Sequence, residues 1–315
     1  MEVIMKKICL LSAVICAVLF AALPAFAQPY SPSEAAEQTY GNWKFRLSTS
    51  SNYQFETDID DGGEFSLYRI TGGVNVLYNF NPCTTLDTSV GYEYLNYDFG
   101  DDGYSRFPWN KIHSGSVRSV LRWRESEQWE YFGGPIFTLG MEEGADWEDS
   151  IGGGLTAGFK YFHSDTLTIG AGLTGMSQFE KGDPLIIPMI LLNWKFAPGW
   201  QLRNALNDLG SKGGTGLEVA WRCFGPLELV AGAQYMRRDF RLSESGGGND
   251  GIGQERGIPL YVMANMDVTK NMRLSVFGGG IVNGKIRLED NNGDAIRSED
   301  YDATPIAGAR LGFMF

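Results

Sequence analysis

The chain alternates with a period of two almost from end to end. In "WKFRLSTSSNYQF", Trp43, Phe45, Leu47, Tyr53 and Phe55 share one face, while Lys44, Arg46, Ser48, Ser50, Asn52 and Gln54 share the other. Successive side chains of a strand point to opposite sides of its sheet, so this pattern predicts a strand with one apolar and one polar face. "SLYRITGGVNVLYNF" repeats it, with Tyr68, Ile70, Val74, Val76, Tyr78 and Phe80 set against Arg69, Thr71, Gly73 and Asn75. Fourteen such segments start near Trp43, Phe65, Thr85, Ile112, Gln128, Ser150, Thr166, Leu185, Gln201, Gly216, Leu227, Ile258, Met272 and Thr304. Forty-one glycines and a 13% aromatic share belong to many strands and turns rather than to a helical core.

The connections alternate too. "NPCT", "ESEQ", "HSD", "APG", "FGP" and "TK" are short. Between them stand "ETDIDDGGE", "DFGDDGYSRFPWNK", "MEEGADWEDS", "EKGDP", "DLGSKGG", "SESGGGNDGIGQERG" and "EDNNGDAIRSEDYD", most of them longer and several acidic. Tight turns alternating with long loops are what an all-β, up-and-down antiparallel transmembrane barrel requires, with the turns on the periplasmic side. The expected count is fourteen strands, with twelve and sixteen as the neighbouring even numbers. A water-soluble barrel gives the same alternation with the faces exchanged. Two features argue against it. The polar face holds too many charges for a packed interior: Arg46, Arg69, Glu93, Arg118, Arg122, Lys160, Glu218, Arg222, Glu228, Asp267, Arg273, Lys285 and Arg287. Tryptophans gather beside the short turns, at Trp43, Trp123, Trp129, Trp194, Trp200 and Trp221, as an interfacial girdle demands.

A third feature is the final strand, where Leu311, Phe313 and Phe315 alternate up to the last residue. Here the sequence resembles bacterial outer-membrane β-barrel proteins, and it is similar in pattern to barrel families known only as domains of unknown function. That resemblance implies no activity. It implies residence in the outer membrane of a Gram-negative cell, among outer-membrane lipids and lipopolysaccharide. It also implies that Leu311, Phe313 and Phe315 form the signal read by the barrel assembly machinery, on a strand that closes the barrel against the first.

Residues 1–27 read as a secretory signal peptide: Lys6 and Lys7, an apolar run from Ile8 to Leu23, and small residues at Ala25 and Ala27. Residues 28–42 are expected to be a periplasmic lead, and 43–315 the barrel. A formal net charge of −12 excludes a nucleic-acid partner. Cys83 and Cys223 fall at short turns far apart around such a ring, which predicts two free thiols.

The acidic residues concentrate in the long connections, which leaves the strands net basic. A basic, water-filled lumen favours anions; a wall of paired Arg and Glu that merely stiffens the barrel is the plainer alternative. "DNNGD" resembles the start of a calcium loop but places Ala295 and Tyr301 where Gly and Glu belong, so no metal site is expected. Nor does any pattern call for a cofactor. His113 has opposite parity to Ser114 and stands three residues from Ser116, and His163 sits in a short turn, so no catalytic residues and no enzyme are expected. The expected function is porin-like: passive passage of small solutes through a polar lumen that favours anions. The alternatives are a structural or adhesive surface barrel with an occluded lumen and, further off, an outer-membrane enzyme. Polar inner faces argue against a fatty-acid route.

Overall fold

The computed structural model describes residues 43–100, 103, 107–177, 179, 184–205, 216–243, 251–290 and 292–315. The expected signal peptide and lead lie outside the described residues. The strands are β1 (Trp43–Asp58), β2 (Glu64–Asn81), β3 (Thr84–Phe99), β4 (Lys111–Arg124), β5 (Trp129–Glu142), β6 (Ile151–Ser164), β7 (Leu167–Met176), β8 (Leu185–Ala197), β9 (Trp200–Asn204), β10 (Gly216–Phe224), β11 (Leu227–Gln234), β12 (Met236–Arg241), β13 (Ile252–Thr269), β14 (Met272–Glu289), β15 (Ala295–Tyr301) and β16 (Thr304–Met314).

Fourteen of them close an antiparallel barrel. β1 to β11 pair in sequence order, β11 pairs with β13, β13 with β14, β14 with β16, and β16 with β1. The closing pair runs in register from Arg46↔Met314 to Gln54↔Ile306. Phe45 and Phe315 exchange backbone hydrogen bonds of 3.1 and 2.9 Å. Every wall edge is therefore paired, which a lipid environment demands because it offers no donor or acceptor to a bare edge.

The direction of the apolar face settles the membrane question. Ile190 is 77% exposed, Leu155 68%, Val262 63% and Ile186 60%, while the polar alternates turn inward. Trp43, Trp123, Trp194, Trp200 and Trp221 stand on the outer surface near the short turns, and Trp200 stacks on Trp221 at 5.3 Å. Apolar outside, polar inside and closed, this is the architecture of an outer-membrane barrel. The chain is a protein of the bacterial outer membrane.

The two remaining strands leave the wall. β13 and β14, each 18 residues long, exceed the roughly ten residues that cross a bilayer as a tilted strand. Partway up, their pairing slips between Arg256 and Ile258, opposite Val282 and Lys285. There Asn283 adopts φ 51°, the left-handed region that an asparagine tolerates, and the bulge bends the hairpin. Both edges change partner at this level. Below it β13 pairs with β11 and above it with β12; below it β14 pairs with β16 and above it with β15. The upper part is thus a four-stranded sheet, β12-β13-β14-β15. At one edge Tyr301 of β15 bridges Ile59 beside the top of β1. At the other, Arg241 of β12 bridges Met141 of β5. β5 and β13 lie seven strands apart in either direction round the ring, so the sheet crosses the lumen as a chord. Gly140 permits the landing, because a Cβ there would stand 2.6 Å from the Asp239 carbonyl oxygen.

Two loop expectations are corrected by this arrangement. "SESGGGNDGIGQERG" ends in strand from Ile252, and "EDNNGDAIRSEDYD" holds β15. Between the chord and the wall of β2 to β4 lies the core: Phe65, Leu67, Leu95, Tyr97, Phe107, Trp109 and Ile112 from the wall side meet Met236, Phe240, Leu242, Ile286, Leu288 and Tyr301 from the chord. Trp109 meets Phe240 at 5.5 Å, and Phe65 meets Tyr301 edge-on at 5.1 Å. Each large side chain withdrawn from water contributes about 1.5–3 kcal/mol, so this layer seats the chord firmly.

Candidate functional site

The site is the lumen and the passage beside the chord. The chord has two unlike faces. Its core face carries, amid apolar residues, a buried polar latch. Glu255 accepts hydrogen bonds from Tyr97 Oη at 2.6 Å, Tyr301 Oη at 3.1 Å and Arg238 Nη1 at 2.6 Å. Arg238 also stands 3.5 Å from Glu93, which pairs with Arg69 at 2.7 Å. The chain Arg69–Glu93–Arg238–Glu255 thus ties the walls of β2 and β3 to β12, β13 and β15. Its other face is charged and self-paired: Arg237 with Asp239 at 3.0 Å, Gln254 with Asp239 at 2.7 Å, Lys285 with Asp300 at 2.8 Å and Arg287 with Glu289 at 2.9 Å.

Beneath the chord lies a cavity of about 560 Å³. On its loop side a crevice of about 20 Å³ runs between Arg237, Asp239, Ile252, Gln254 and Glu289 of the chord and Thr138, Met176, Ser177, Phe179 and Leu185 of the facing side. Thr138, Met176, Arg237 and Asp239 border both spaces, so the two lie side by side.

The cavity is lined unequally. On the β2–β4 side stand Arg69, Thr71, Asn75, Asp87, Ser89, Glu93, Ser114, Ser116, Arg118 and Arg122, with Val74, Val90, Tyr92 and Val120 among them. On the β5–β8 side stand Phe132, Ile136, Met176, Met189 and Leu191, with Thr138, Thr156, Thr174 and Lys160 among them. Its charged border is net basic: Arg69, Arg118, Arg122, Lys160, Arg237 and Arg238 against Asp87, Glu93 and Asp239.

The charged sequence candidates fall in four places. Arg69, Glu93, Arg118, Arg122 and Lys160 border the cavity; Arg122 pairs with Asp87 at 2.6 Å and Lys160 with Glu130 at 2.7 Å. Glu218, Arg222, Glu228, Asp267 and Arg273 lie on the β9–β14 side. There Arg203 reaches Glu218 at 2.5 Å and Glu228 at 3.0 Å, Arg222 stands 3.8 Å from Glu228, and Arg273 pairs with Asp267 at 2.6 Å. Tyr261 and Asn265 complete that network through Glu218 and Glu228, at 3.0 Å each. Lys285 and Arg287, expected on the barrel wall, stand instead on the inserted part of β14, because the bulge turns that part inward. Arg46 lies on β1 across from Asn75 and Met314. Leu311 and Phe313 pair opposite Thr49 and Leu47 on the closing strand.

Parity reasoning missed Arg203 on the wall strand β9, although it shares the polar face of Gln201, and it missed Arg237, Arg238 and Glu255 on the inserted strands. The inserted strands have both faces inside the barrel, so no lipid side marks them. The available signal was "MRRDFR", with a cation on each face of one strand. A wholly polar inner surface is also corrected. Phe65, Leu67, Leu95 and Tyr97 face inward because the chord covers them, and Met189 and Leu191 face inward on β8.

The remaining motifs resolve simply. His113 accompanies Tyr92 and Tyr94, its Nδ1 sharing a 2.7 Å hydrogen bond with Tyr92 Oη, while Ser114 and Ser116 line the cavity on the opposite face. In the β14–β15 connection Asp290 Oδ1 accepts the backbone N–H of Asp294 and of Asn292, both at 2.9 Å. Those bonds hold its carboxyl below the usual carboxylate range. Cys83 and Cys223 are free.

No protein-family model matches the chain, and no curated protein matches it in sequence. The resemblance to families known only as domains of unknown function therefore gains no support. Among solved structures the chain is similar to an outer membrane channel from Pseudomonas putida F1, at 9% identity over 91% of this chain and 100% of that one, with a TM-score of 0.49. It is similar to the P. putida toluene transporter TodX at 8% identity over 89% and 90%, TM-score 0.43. It is also similar to the translocator domain of the autotransporter NalP from Neisseria meningitidis, at 13% identity over 89% and 90%, TM-score 0.39. At such identities the common property is the barrel, and no cargo follows from it.

Proposed function

We propose that this outer-membrane barrel is a passive channel through which small solutes cross beside the chord. The observation that carries the reading is the cavity of about 560 Å³ beneath the chord, with the crevice of about 20 Å³ lying against the same four residues, Thr138, Met176, Arg237 and Asp239. A stiffening barrel with a filled interior has no need of such a space. The net basic border supports a preference for anions, moderated because Arg69, Arg122 and Lys160 are each matched by a carboxylate. The role is not enzymatic: the imidazole of His113 is engaged by a tyrosine and faces away from the lumen serines. Assembly proceeds through the machinery that reads the closing strand with Leu311, Phe313 and Phe315, and the barrel stands among outer-membrane lipids and lipopolysaccharide.

The test is single-channel recording of the refolded barrel in a planar bilayer under a salt gradient. Discrete steps with a reversal potential on the anion side are expected. Silence from a heat-modifiable, folded barrel sinks the reading. It would favour the second one, a structural surface barrel with an occluded lumen, which draws on the crevice's small size: about 20 Å³ is room for roughly one water.

A further inference from the structure

The cavity's two walls are chemically unlike, and one strand divides them. Cross-strand neighbours of Arg118 on β4 are Ser89 on β3 and Ile136 on β5. Toward β3 the wall is polar and charged. Toward β5 stands Ile136, and next to it Met176 of β7 leans over the bare backbone of Gly154, where a Cβ would lie 2.9 Å from Met176 Cγ. Phe132 and Met189 continue the apolar lining further along, level with Arg122. Apolar side chains lining a water-filled space forfeit the transfer free energy that burial would give them, and a solute with an apolar body recovers it.

Arg118 stands at the seam. It borders the cavity, is exposed to it, and makes no ion pair or hydrogen bond among the described residues. Arg122, two places along the same face beyond Val120, is matched by Asp87. A guanidinium without an acceptor, beside an apolar shelf, is the complement of a carboxylate carried on an apolar body, because the fork of N–H donors fits a carboxylate in two-pronged fashion.

We infer that the lumen holds small amphipathic monocarboxylates, with the carboxylate on Arg118 and the apolar body on the adjoining Ile136–Met176 shelf. This rests on the channel reading above and names its substrate class. A free inorganic anion uses only half of the site, and a neutral apolar solute only the other half.

Calorimetric titration of the refolded barrel in detergent with benzoate, acetate and benzyl alcohol tests it. Benzoate is expected to bind about tenfold more tightly than either partner compound. Arg118→Gln should erase its advantage over benzyl alcohol, and Ile136→Asn its advantage over acetate, in proteins whose heat-dependent gel migration matches the parent. Equal binding of benzoate and acetate, or undiminished benzoate binding by the folded Arg118→Gln protein, overturns the inference. Conductance measured in parallel separates the two readings. A conducting barrel indifferent to the three compounds loses only the substrate class. A silent barrel that still prefers benzoate through Arg118 keeps the site and loses the channel.

Discussion

Glu255 is fully buried and answers three donors at once, and Arg238 beside it depends on that carboxylate with a longer approach to Glu93. Removing one member of a buried pair leaves the other charged and unmatched, at about 3–5 kcal/mol. Glu255→Ala is expected to cost that much and Glu255→Gln less, since the amide keeps the shape and still accepts from a hydroxyl. The midpoint of urea unfolding followed by tryptophan fluorescence measures the first effect. Because the latch holds the chord and not the wall, the loss should also be local. Trypsin is expected to cut at Arg237, Arg238 or Arg241 in the folded Glu255→Ala barrel and to spare the parent; equal resistance would show that the aromatic layer alone seats the sheet.

The chord is the element that decides what passes. It exists because β13 and β14 outrun the membrane and bend at the Asn283 bulge, exchanging β11 and β16 for β12 and β15 as partners. Its far edge rests on β5 where Gly140 leaves room for the Asp239 carbonyl. Gly140→Val is expected to force β12 off that wall at a cost of about 1–3 kcal/mol, typical of overpacking. The crevice lies against the same strand, so this variant should show larger single-channel steps than the parent. Unchanged steps would mean that ions take another route. At this scale the sequence was half legible. The two loops that hold the inserted strand residues read as polar connections, because a strand with both faces inside the barrel shows no alternation of solvent. The hint lay elsewhere, in Phe107 and Trp109 within an otherwise polar loop and in "YEYLNYDF", which is apolar on both faces at the top of β3.

The whole molecule is a fixed arrangement of two solvents around one closed sheet. Its orientation is testable through Cys83, which is exposed in the short turn after β2. A membrane-impermeant maleimide is expected to leave it unlabelled on intact cells and to label it once the outer membrane is permeabilised; labelling of intact cells would invert the barrel. Selectivity belongs to this scale as well, because the field in the cavity sums over its whole border. Replacing Arg118 removes a cation with no described counter-charge, and replacing Arg122 leaves Asp87 uncompensated. Each takes one positive charge from the sum, so each should move the reversal potential toward cations; an unmoved potential in both variants would show that the border does not set selectivity.

Which residues face lipid and which face the interior was set by sequence alone, because a bilayer outside and water inside impress a period of two on every strand that separates them. Fourteen wall strands follow from that rule together with the alternation of short and long connections, and the closing of β1 on β16 is what the resemblance to outer-membrane barrels implied. Where a segment has protein on both sides the rule has nothing to act on. So the chord, the latch on Glu255, the apolar shelf and the want of a described partner for Arg118, itself already on the polar face by parity, were decided only by tertiary structure, in which a bulge and a glycine bring residues more than a hundred positions apart onto one another.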